Sequence, residues 1–141
     1  FLTDESILAS YQEKQGYLYL RKNLLTYLRK IRGVHCEERQ IVITCGLQQS
    51  LDYLCKLIAC DQQTFLMEEP GFDRASAVFK MNKVKIKTVP IDENGLIVAD
   101  LPYNNDIRAI YTTPSHQFPT GATLTIDRRY KLLEWAERND S

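Results

Sequence analysis

The chain has 141 residues, of which 44% are hydrophobic and 26% charged, and its 18 basic and 18 acidic side chains give a formal net charge of zero. That size and composition are typical of a globular domain with a core, and the balanced charge argues against a nucleic-acid or anionic-membrane surface. No apolar run approaches the roughly 20 residues that a membrane helix needs and no signal peptide opens the chain, so we expect a cytoplasmic protein without a membrane partner.

Residues 1–15 carry little pattern and are predicted to form an extended arm or linker. After Gly16, apolar side chains recur at helical spacing, namely Leu20, Leu24, Leu28 and Ile31. Gly33 stands where a C-terminal helix glycine belongs, behind a last turn rich in basic residues. The pattern predicts an amphipathic helix that ends at Gly33, with its basic cluster in solvent.

The next stretch predicts a buried strand that runs directly into a helix. Ile41–Cys45 is short, apolar and β-branched, and Gly46 breaks it. A helical apolar face then follows, made of Leu47, Leu51, Leu54 and Ile58. Because the first turn of a helix has unpaired N–H groups and a partial positive charge, this corner is a candidate seat for a phosphate or carboxylate. The alternative is a tight strand–helix turn that binds nothing.

Beyond a polar turn at residues 61–63, short strands and helices alternate. The predicted strands are 64–67, 83–89 and 107–112, of which 83–89 alternates like a half-exposed edge strand. The predicted helices are 72–81 and a last one capped by Thr123 or Thr125, whose buried face is Ile126, Tyr130, Leu133 and Ala136. This order predicts an α/β layered domain, residues 16–141, with a largely parallel sheet.

The cysteines and nucleotide motifs exclude several kinds of site. Cys36, Cys45, Cys55 and Cys60 form no CxxC pair and have no metal-ligand spacing with the histidines, so we predict no metal site. Cys45 and Cys55 lie in apolar segments and are predicted to be reduced core residues. GxGxxG, GxxxxGK[ST] and GxSxG are all missing, which argues against nucleotide-phosphate binding by those motifs and against a hydrolase built on Ser115 and His116.

Ligands of parallel α/β sheets gather beyond the carboxyl ends of the strands. Four segments follow such ends, namely residues 46–48, 69–72, 90–92 and 115–117. Convergence of the first, second and fourth would combine an anion seat, an aromatic face at Phe72 and polar side chains at His116 and Gln117, which suits a flat, phosphorylated aromatic ligand. Phe72 could instead pack in the core, and His116 and Gln117 could instead bond to loop backbone.

A series of motifs in one order resembles the fold-type I aminotransferases, which bind pyridoxal 5′-phosphate (PLP). The motifs are GYLYLRKNLLTYLRKIRGV, IVITCGLQQSLDYL, EEPGF, VPIDENGL, YTTPSHQFPTG and RRYKLLEWA. The HQFPTG loop and the RRxxLLxWA helix are most similar to the MocR-type branch of the GntR regulators, in which an aminotransferase-like domain follows a winged helix-turn-helix. The resemblance implies a three-layer α/β fold, with a mostly parallel sheet flanked by helices, as part of the large domain of the PLP-dependent transferases.

The resemblance also implies roles for individual residues. Gly46, Leu47 and Gln48 match the turn whose N–H groups hold the cofactor phosphate, and Phe72 matches the aromatic residue that stacks on the pyridine ring. The SHQFPTG loop resembles an NPxNPTG loop whose asparagine bonds the ring hydroxyl. Since no asparagine precedes Pro119, His116 or Gln117 would substitute.

The lysine that forms the Schiff base, and the acidic partner of the pyridine nitrogen, would lie beyond Ser141. The resemblance therefore implies an inactive fragment of a PLP-binding effector domain from a MocR/GntR-type regulator. It would be a homodimer that recognises an amino acid or amine and reaches DNA only through an upstream domain. Two alternatives stay open: a fragment of a class I/II aminotransferase that moves an amino group between an amino acid and a 2-oxo acid, and a small α/β interaction module without a ligand.

Overall fold

The structure is a computed structural model that describes residues 13–58 and 63–141. It divides the chain into two compact units, Phe1–Gly46 and Leu47–Ser141. Most of the predicted arm and the predicted turn at residues 61–62 lie outside the described residues. None of the helices in the described ranges is long and apolar enough to cross a membrane.

The first unit is organised by helix α1 (Leu18–Arg32), which ends as predicted at Gly33 in the left-handed conformation, with φ 63°. Its buried residue is Arg21, which is 1% exposed. The Arg21 guanidinium pairs with the carboxylates of Glu13 and Glu38, and its Nε donates to the Gly16 carbonyl at 3.1 Å. Because a buried charge needs partners, this arginine ties the residues before α1 to the short 3-10 helix Glu38–Gln40 that follows it.

The prediction of a strand at Ile41–Cys45 is wrong. Ile41 has an extended backbone, with φ −97° and ψ 122°, but the segment joins no sheet among the described residues. Two isolated backbone hydrogen bonds tie this segment, from Ile43 N–H to the Gln15 carbonyl and from Ile41 N–H to the Glu38 carbonyl. A β-strand is defined by a ladder with a neighbouring strand, and an apolar, β-branched pattern cannot supply that neighbour.

The second unit contains a four-stranded sheet. Its elements are α2 (Leu47–Ile58), β1 (Thr64–Glu69), α3 (Asp73–Met81), β2 (Lys85–Asp92), β3 (Gly95–Leu96), β4 (Ile107–Tyr111) and α4 (Ile126–Asn139). The strand order is β3-β2-β1-β4, in which β1 pairs in parallel with both β2 and β4. Three of the four predicted strands, at 64–67, 83–89 and 107–112, and the parallel pairing are therefore confirmed, while the short antiparallel β3 was not predicted.

Two apolar clusters cover the two faces of the sheet, which makes this unit a three-layer α/β arrangement as expected. Phe65 and Met67 of β1 pack with α2 and α3, whereas Leu66 packs with Leu124 and with Trp135 of α4. Alternate side chains of a strand point to opposite faces, so β1 serves both clusters and is buried at its centre.

The predicted apolar faces of the helices are correct only in part. In α4 the predicted residues Ile126, Tyr130 and Leu133 are 71%, 65% and 66% exposed. The buried face is instead Trp135 and Asn139, with Leu132 and Ala136 packed against the core. The helix carries two apolar stripes, and helical spacing alone does not decide between them.

A similar correction applies around α2. Leu51 is buried as predicted, but Leu47 and Leu54 are about half exposed, and Cys55 is buried at 1% exposure. Burial raises the pKa of the Cys55 thiol, which keeps it protonated as a core residue. Cys45, predicted to be a core residue as well, is exposed.

Candidate functional site

The loop of residues 112–122, which follows β4, is built around the buried carboxylate of Glu68 at the end of β1. Glu68 is 4% exposed. Its Oε2 accepts from Thr113 N–H at 3.1 Å, from Thr113 Oγ1 at 2.8 Å and from Gln117 Nε2 at 3.3 Å, and its Oε1 accepts from Thr112 Oγ1. No ion pair between described residues involves Glu68, so these hydrogen bonds take the place of a cation.

Gln117, one of the predicted ring ligands, is 2% exposed and fully engaged inside the protein. The two hydrogens of its Nε2 serve mainly the carbonyls of Pro70 at 2.8 Å and Phe118 at 2.6 Å, so the longer contact with Glu68 at 3.3 Å shares one of them. Its Oε1 accepts from Thr120 N–H and Oγ1. Gln117 therefore hydrogen-bonds to the loop backbone, as in the alternative considered from the sequence. His116, the neighbouring candidate, is exposed.

Phe72 and Phe118 form an aromatic pair beside this loop. Their ring centroids are 5.3 Å apart and their planes meet at 80°, the edge-to-face geometry that aromatic pairs prefer. Phe72 is half-buried and touches the core cluster under α3, whereas Phe118 is 46% exposed. The structure thus brings the segments after β1 and after β4 together, and it leaves aromatic surface accessible between them.

Two cavities open at this end of the sheet. One of about 180 Å³ lies at the start of α3 and is lined in part by Phe72, Asp73, Ser76 and Thr88. Another of about 530 Å³ lies between the ends of β1 and β2 and the loop, and is lined by Pro70, Ile91, Asp92, Glu93, Thr120, Gly121 and Ala122. The segments at 69–72 and 90–92, both predicted from strand ends, therefore meet the loop at a concave surface.

The predicted anion seat has the expected local features. Gly46 has φ 97°, a backbone conformation that residues with a side chain rarely adopt, and an added Cβ would meet no atom of the described residues within 4 Å. α2 begins at Leu47, and both Leu47 and Gln48 are exposed. The glycine is thus required by its backbone conformation, and phosphate binding at these three residues stays a prediction.

Gly71, by contrast, is required by a close neighbour. A Cβ at this position would lie 2.2 Å from the backbone oxygen of Glu68. The turn between β1 and Phe72 therefore folds back on the end of the strand, and this places Phe72 over the loop. The sequence motif EEPGF contained this glycine, but its reason is visible only in the folded turn.

The arginine pair of the last helix, whose role the sequence did not reveal, holds the surroundings of the site. Arg128 donates to both carboxylate oxygens of Asp92 at 2.6 Å and to the carbonyls of Gly95 and Leu96, which fixes the β2–β3 turn. Arg129 donates to the carbonyls of Leu124 at 2.9 Å and Pro114 at 2.7 Å, which ties the two ends of the loop together.

The Asp92–Arg128 pair predicts acid sensitivity. The Arg128 guanidinium, by its hydrogen bonds to the carboxylate, holds the pKa of Asp92 below its ordinary value. A carboxyl group with a lowered folded-state pKa contributes stability above its unfolded pKa and loses that stability as pH falls through the folded pKa. Below about pH 4, wild-type stability is therefore expected to fall more steeply with pH than that of Asp92→Asn, measured by urea denaturation at a series of pH values.

Asp127→Asn is the matched control for this measurement. Asp127 lies on the same helix as Arg128 and forms a salt bridge with Lys131 at 2.7 Å, at 70% side-chain exposure. Exposed pairs of this kind contribute little to stability. Below about pH 4, the free energy of unfolding of Asp127→Asn should therefore fall with pH as steeply as that of the wild type. Equal slopes for wild type and Asp92→Asn would refute the role assigned to this pair.

Comparison with known proteins places this geometry in context. The family model described as aminotransferase class I and II matches residues 2–141. The chain is 35% identical to the HTH-type pyridoxine biosynthesis transcriptional regulator PdxR of Corynebacterium glutamicum, over 94% of the chain and 28% of the regulator. It is 31% identical to the probable rhizopine catabolism regulatory protein MocR of Rhizobium meliloti, over 95% of the chain and 27% of that protein. The chain thus spans less than a third of the length of either regulator.

Among solved structures, the kynurenine aminotransferase of Pyrococcus horikoshii, crystallised in complex with PMP, superimposes with a TM-score of 0.88 at 28% identity, covering 98% of this chain and 36% of that one. The resemblance stated from the sequence motifs, to aminotransferases in fold and to MocR-type regulators in detail, is confirmed.

Proposed function

Since the chain belongs to the aminotransferase class I and II family, we propose that it is part of a PLP-binding effector domain in a MocR/GntR-type transcription regulator. The observation that carries the proposal is the accessible Phe72–Phe118 pair at the carboxyl end of a parallel sheet, beside a loop that hydrogen bonds tie to Glu68 and Pro70. An aromatic face of this kind suits a flat heteroaromatic ring. The two regulators similar to the chain support a sensing role.

The residues present fit the cofactor, with one reassignment. We assign the ring contact to Phe72 and the phosphate to Gly46, Leu47 and Gln48. Because the Gln117 amide is occupied by Pro70, Phe118 and Thr120, we assign the polar contact with the ring to the exposed His116 and give Gln117 the task of shaping the loop. The bound cofactor would supply an electrophilic carbonyl that recognises amines.

The proposal extends to the partners of the natural protein. A winged helix-turn-helix domain would contact DNA, since this chain has a net charge of zero and no basic footprint of its own. The effector would be an amino acid or amine that reacts with the cofactor carbonyl. The protein would act as a homodimer in the cytoplasm.

The second candidate is an aminotransferase that moves an amino group between an amino acid and a 2-oxo acid. The superposition with the kynurenine aminotransferase favours it, because 28% identity accompanies nearly complete coverage of this chain. The two candidates differ in what the natural protein does once the cofactor is bound. A regulator changes its DNA affinity when an amine is added, whereas an aminotransferase turns over an amino acid with 2-oxoglutarate.

The test is a titration of the natural protein carrying this sequence with PLP, followed by the absorbance of the cofactor. We expect saturable binding that inorganic phosphate weakens by competition, and weaker binding of pyridoxal, which lacks the phosphate. Phe72→Ala should weaken PLP binding by about 1 kcal/mol, or roughly fivefold, because it removes an aromatic contact.

Tyr103→Ala is the control, because it removes an exposed aromatic ring that contacts Trp135 and not the loop. The Tyr103→Ala variant should bind PLP with the affinity of the wild type. Pyridoxal binding as tightly as PLP would contradict the phosphate seat. A Phe72→Ala protein with lowered stability and unchanged affinity would show that Phe72 serves only the core.

A further inference from the structure

Glu68 is a buried acid that is not among the residues assigned to contact the cofactor. It lies at the end of β1, 4% exposed, and its Oε2 alone receives three hydrogen-bond donors. Burying a carboxylate costs free energy unless its oxygens accept hydrogen bonds. The convergence of these donors indicates that the conformation of the loop depends on Glu68.

Two hydrogen-bonded routes lead from Glu68 Oε2 to the backbone of Phe118. In one, Thr113 Oγ1 donates to Glu68 at 2.8 Å and accepts from Phe118 N–H at 3.1 Å. In the other, Gln117 Nε2 contacts Glu68 at 3.3 Å and donates to the Phe118 carbonyl at 2.6 Å. Both polar backbone groups of Phe118 are thus connected to the same carboxylate oxygen, the N–H through Thr113 and the carbonyl through the longer Gln117 contact.

The position of the Phe118 ring depends on these backbone bonds. The ring is 46% exposed, and its aromatic neighbour is Phe72, at 5.3 Å between centroids. A half-exposed ring on a loop has few core contacts to hold its direction, so the direction is set where the backbone is tied. That backbone is tied by Glu68, Thr113 and Gln117.

We propose that Glu68 is a positioning residue for the ring site: acting through Thr113 and Gln117, it holds Phe118 edge-on to Phe72 and so shapes the aromatic surface that receives the ligand ring. The inference rests on the proposed function in taking the pyridine ring of PLP as that ligand. Glu68 itself does not touch the ligand. Its effect passes through the carboxylate oxygen that the two routes share.

Thr112 and Thr113 provide a matched pair of variants. Both hydroxyls donate to Glu68. The Thr112 hydroxyl contacts Oε1 and has no other hydrogen bond among the described residues, whereas the Thr113 hydroxyl contacts Oε2 and also accepts from Phe118 N–H. Thr→Val at either position keeps the shape of the side chain and removes one hydroxyl. A purely structural role of Glu68 predicts similar effects from the two variants, and a positioning role predicts different ones.

The experiment compares Thr113→Val, Thr112→Val and Thr113→Ser in the natural protein by PLP titration. Thr113→Val should lower PLP affinity about three- to tenfold, as expected for the loss of one hydrogen bond that orders the site. Thr112→Val should stay within about twofold of wild type, and Thr113→Ser should restore binding because it restores the hydroxyl. Affinity for inorganic phosphate should be the same in all proteins.

A second readout does not depend on PLP. With fluorine-labelled phenylalanine, the NMR signal of Phe118 should shift in Thr113→Val and stay in place in Thr112→Val. If the wild type fails to bind PLP, the proposed function is wrong, and this signal alone decides whether Phe118 is positioned. Equal shifts in the two valine variants, or affinity losses that follow their stability losses, would overturn the proposal.

Discussion

Glu68→Leu is expected to destabilise the protein by about 3 kcal/mol or more. The substitution removes the acceptor of Thr113 N–H, which is then left without the partner that the structure shows for it, and it removes charge-assisted hydrogen bonds to Thr112 and Gln117. Urea denaturation followed by far-UV circular dichroism measures the loss as a lower midpoint at an unchanged slope.

Glu68→Gln is the control, because it keeps the shape and removes the charge. Its amide oxygen can accept from Thr113 and Gln117, and its NH₂ group can donate to the Thr112 hydroxyl, so we expect a loss of only about 1 kcal/mol. If Glu68→Gln destabilises as much as Glu68→Leu, the negative charge and not the set of acceptors holds the loop. If neither variant destabilises, the network around Glu68 does not contribute to stability.

Trp135→Ala is expected to cost about 3–5 kcal/mol in the free energy of unfolding. Trp135 is 2% exposed and fills the cluster between α4 and the sheet, where it packs with Leu66 and Leu124, and its Nε1 donates to the Pro102 carbonyl at 3.1 Å. Its removal leaves a cavity the size of a large aromatic side chain and an unpaired carbonyl. Because Trp135 is the only tryptophan, unfolding must be followed by circular dichroism.

Two further variants separate packing from position on the helix. Trp135→Phe keeps an aromatic ring but loses the hydrogen bond and some volume, so its cost should be clearly below that of Trp135→Ala. Leu133→Ala, on the 66% exposed stripe of the same helix, should change stability by less than about 0.5 kcal/mol. A larger loss from Leu133→Ala than from Trp135→Ala would mean that the stripe predicted from the sequence is the buried one after all.

Local chemistry determined much of the secondary structure. The helix α1 and the glycine that ends it were predictable from side-chain spacing and from the conformational freedom of Gly33, but the predicted apolar stripe is not the buried face, because Leu20 and Ile31 are 43% and 66% exposed. The strand β2 follows from its alternation in the same way. The order of the motifs identified the family. Each motif alone is common, but several of them in the same order along one chain are specific.

Tertiary structure alone decided which of several locally equivalent choices was used. An apolar, β-branched segment such as Ile41–Cys45 becomes a strand only if a partner lies beside it, and no local pattern supplies the partner. In α4 two stripes compete, and the volume of Trp135 against Leu66 and Leu124 decides which one faces the sheet. The role of Gln117 depends on Glu68, which is 49 residues away along the chain, because a side-chain amide bonds whichever polar groups the fold brings within reach.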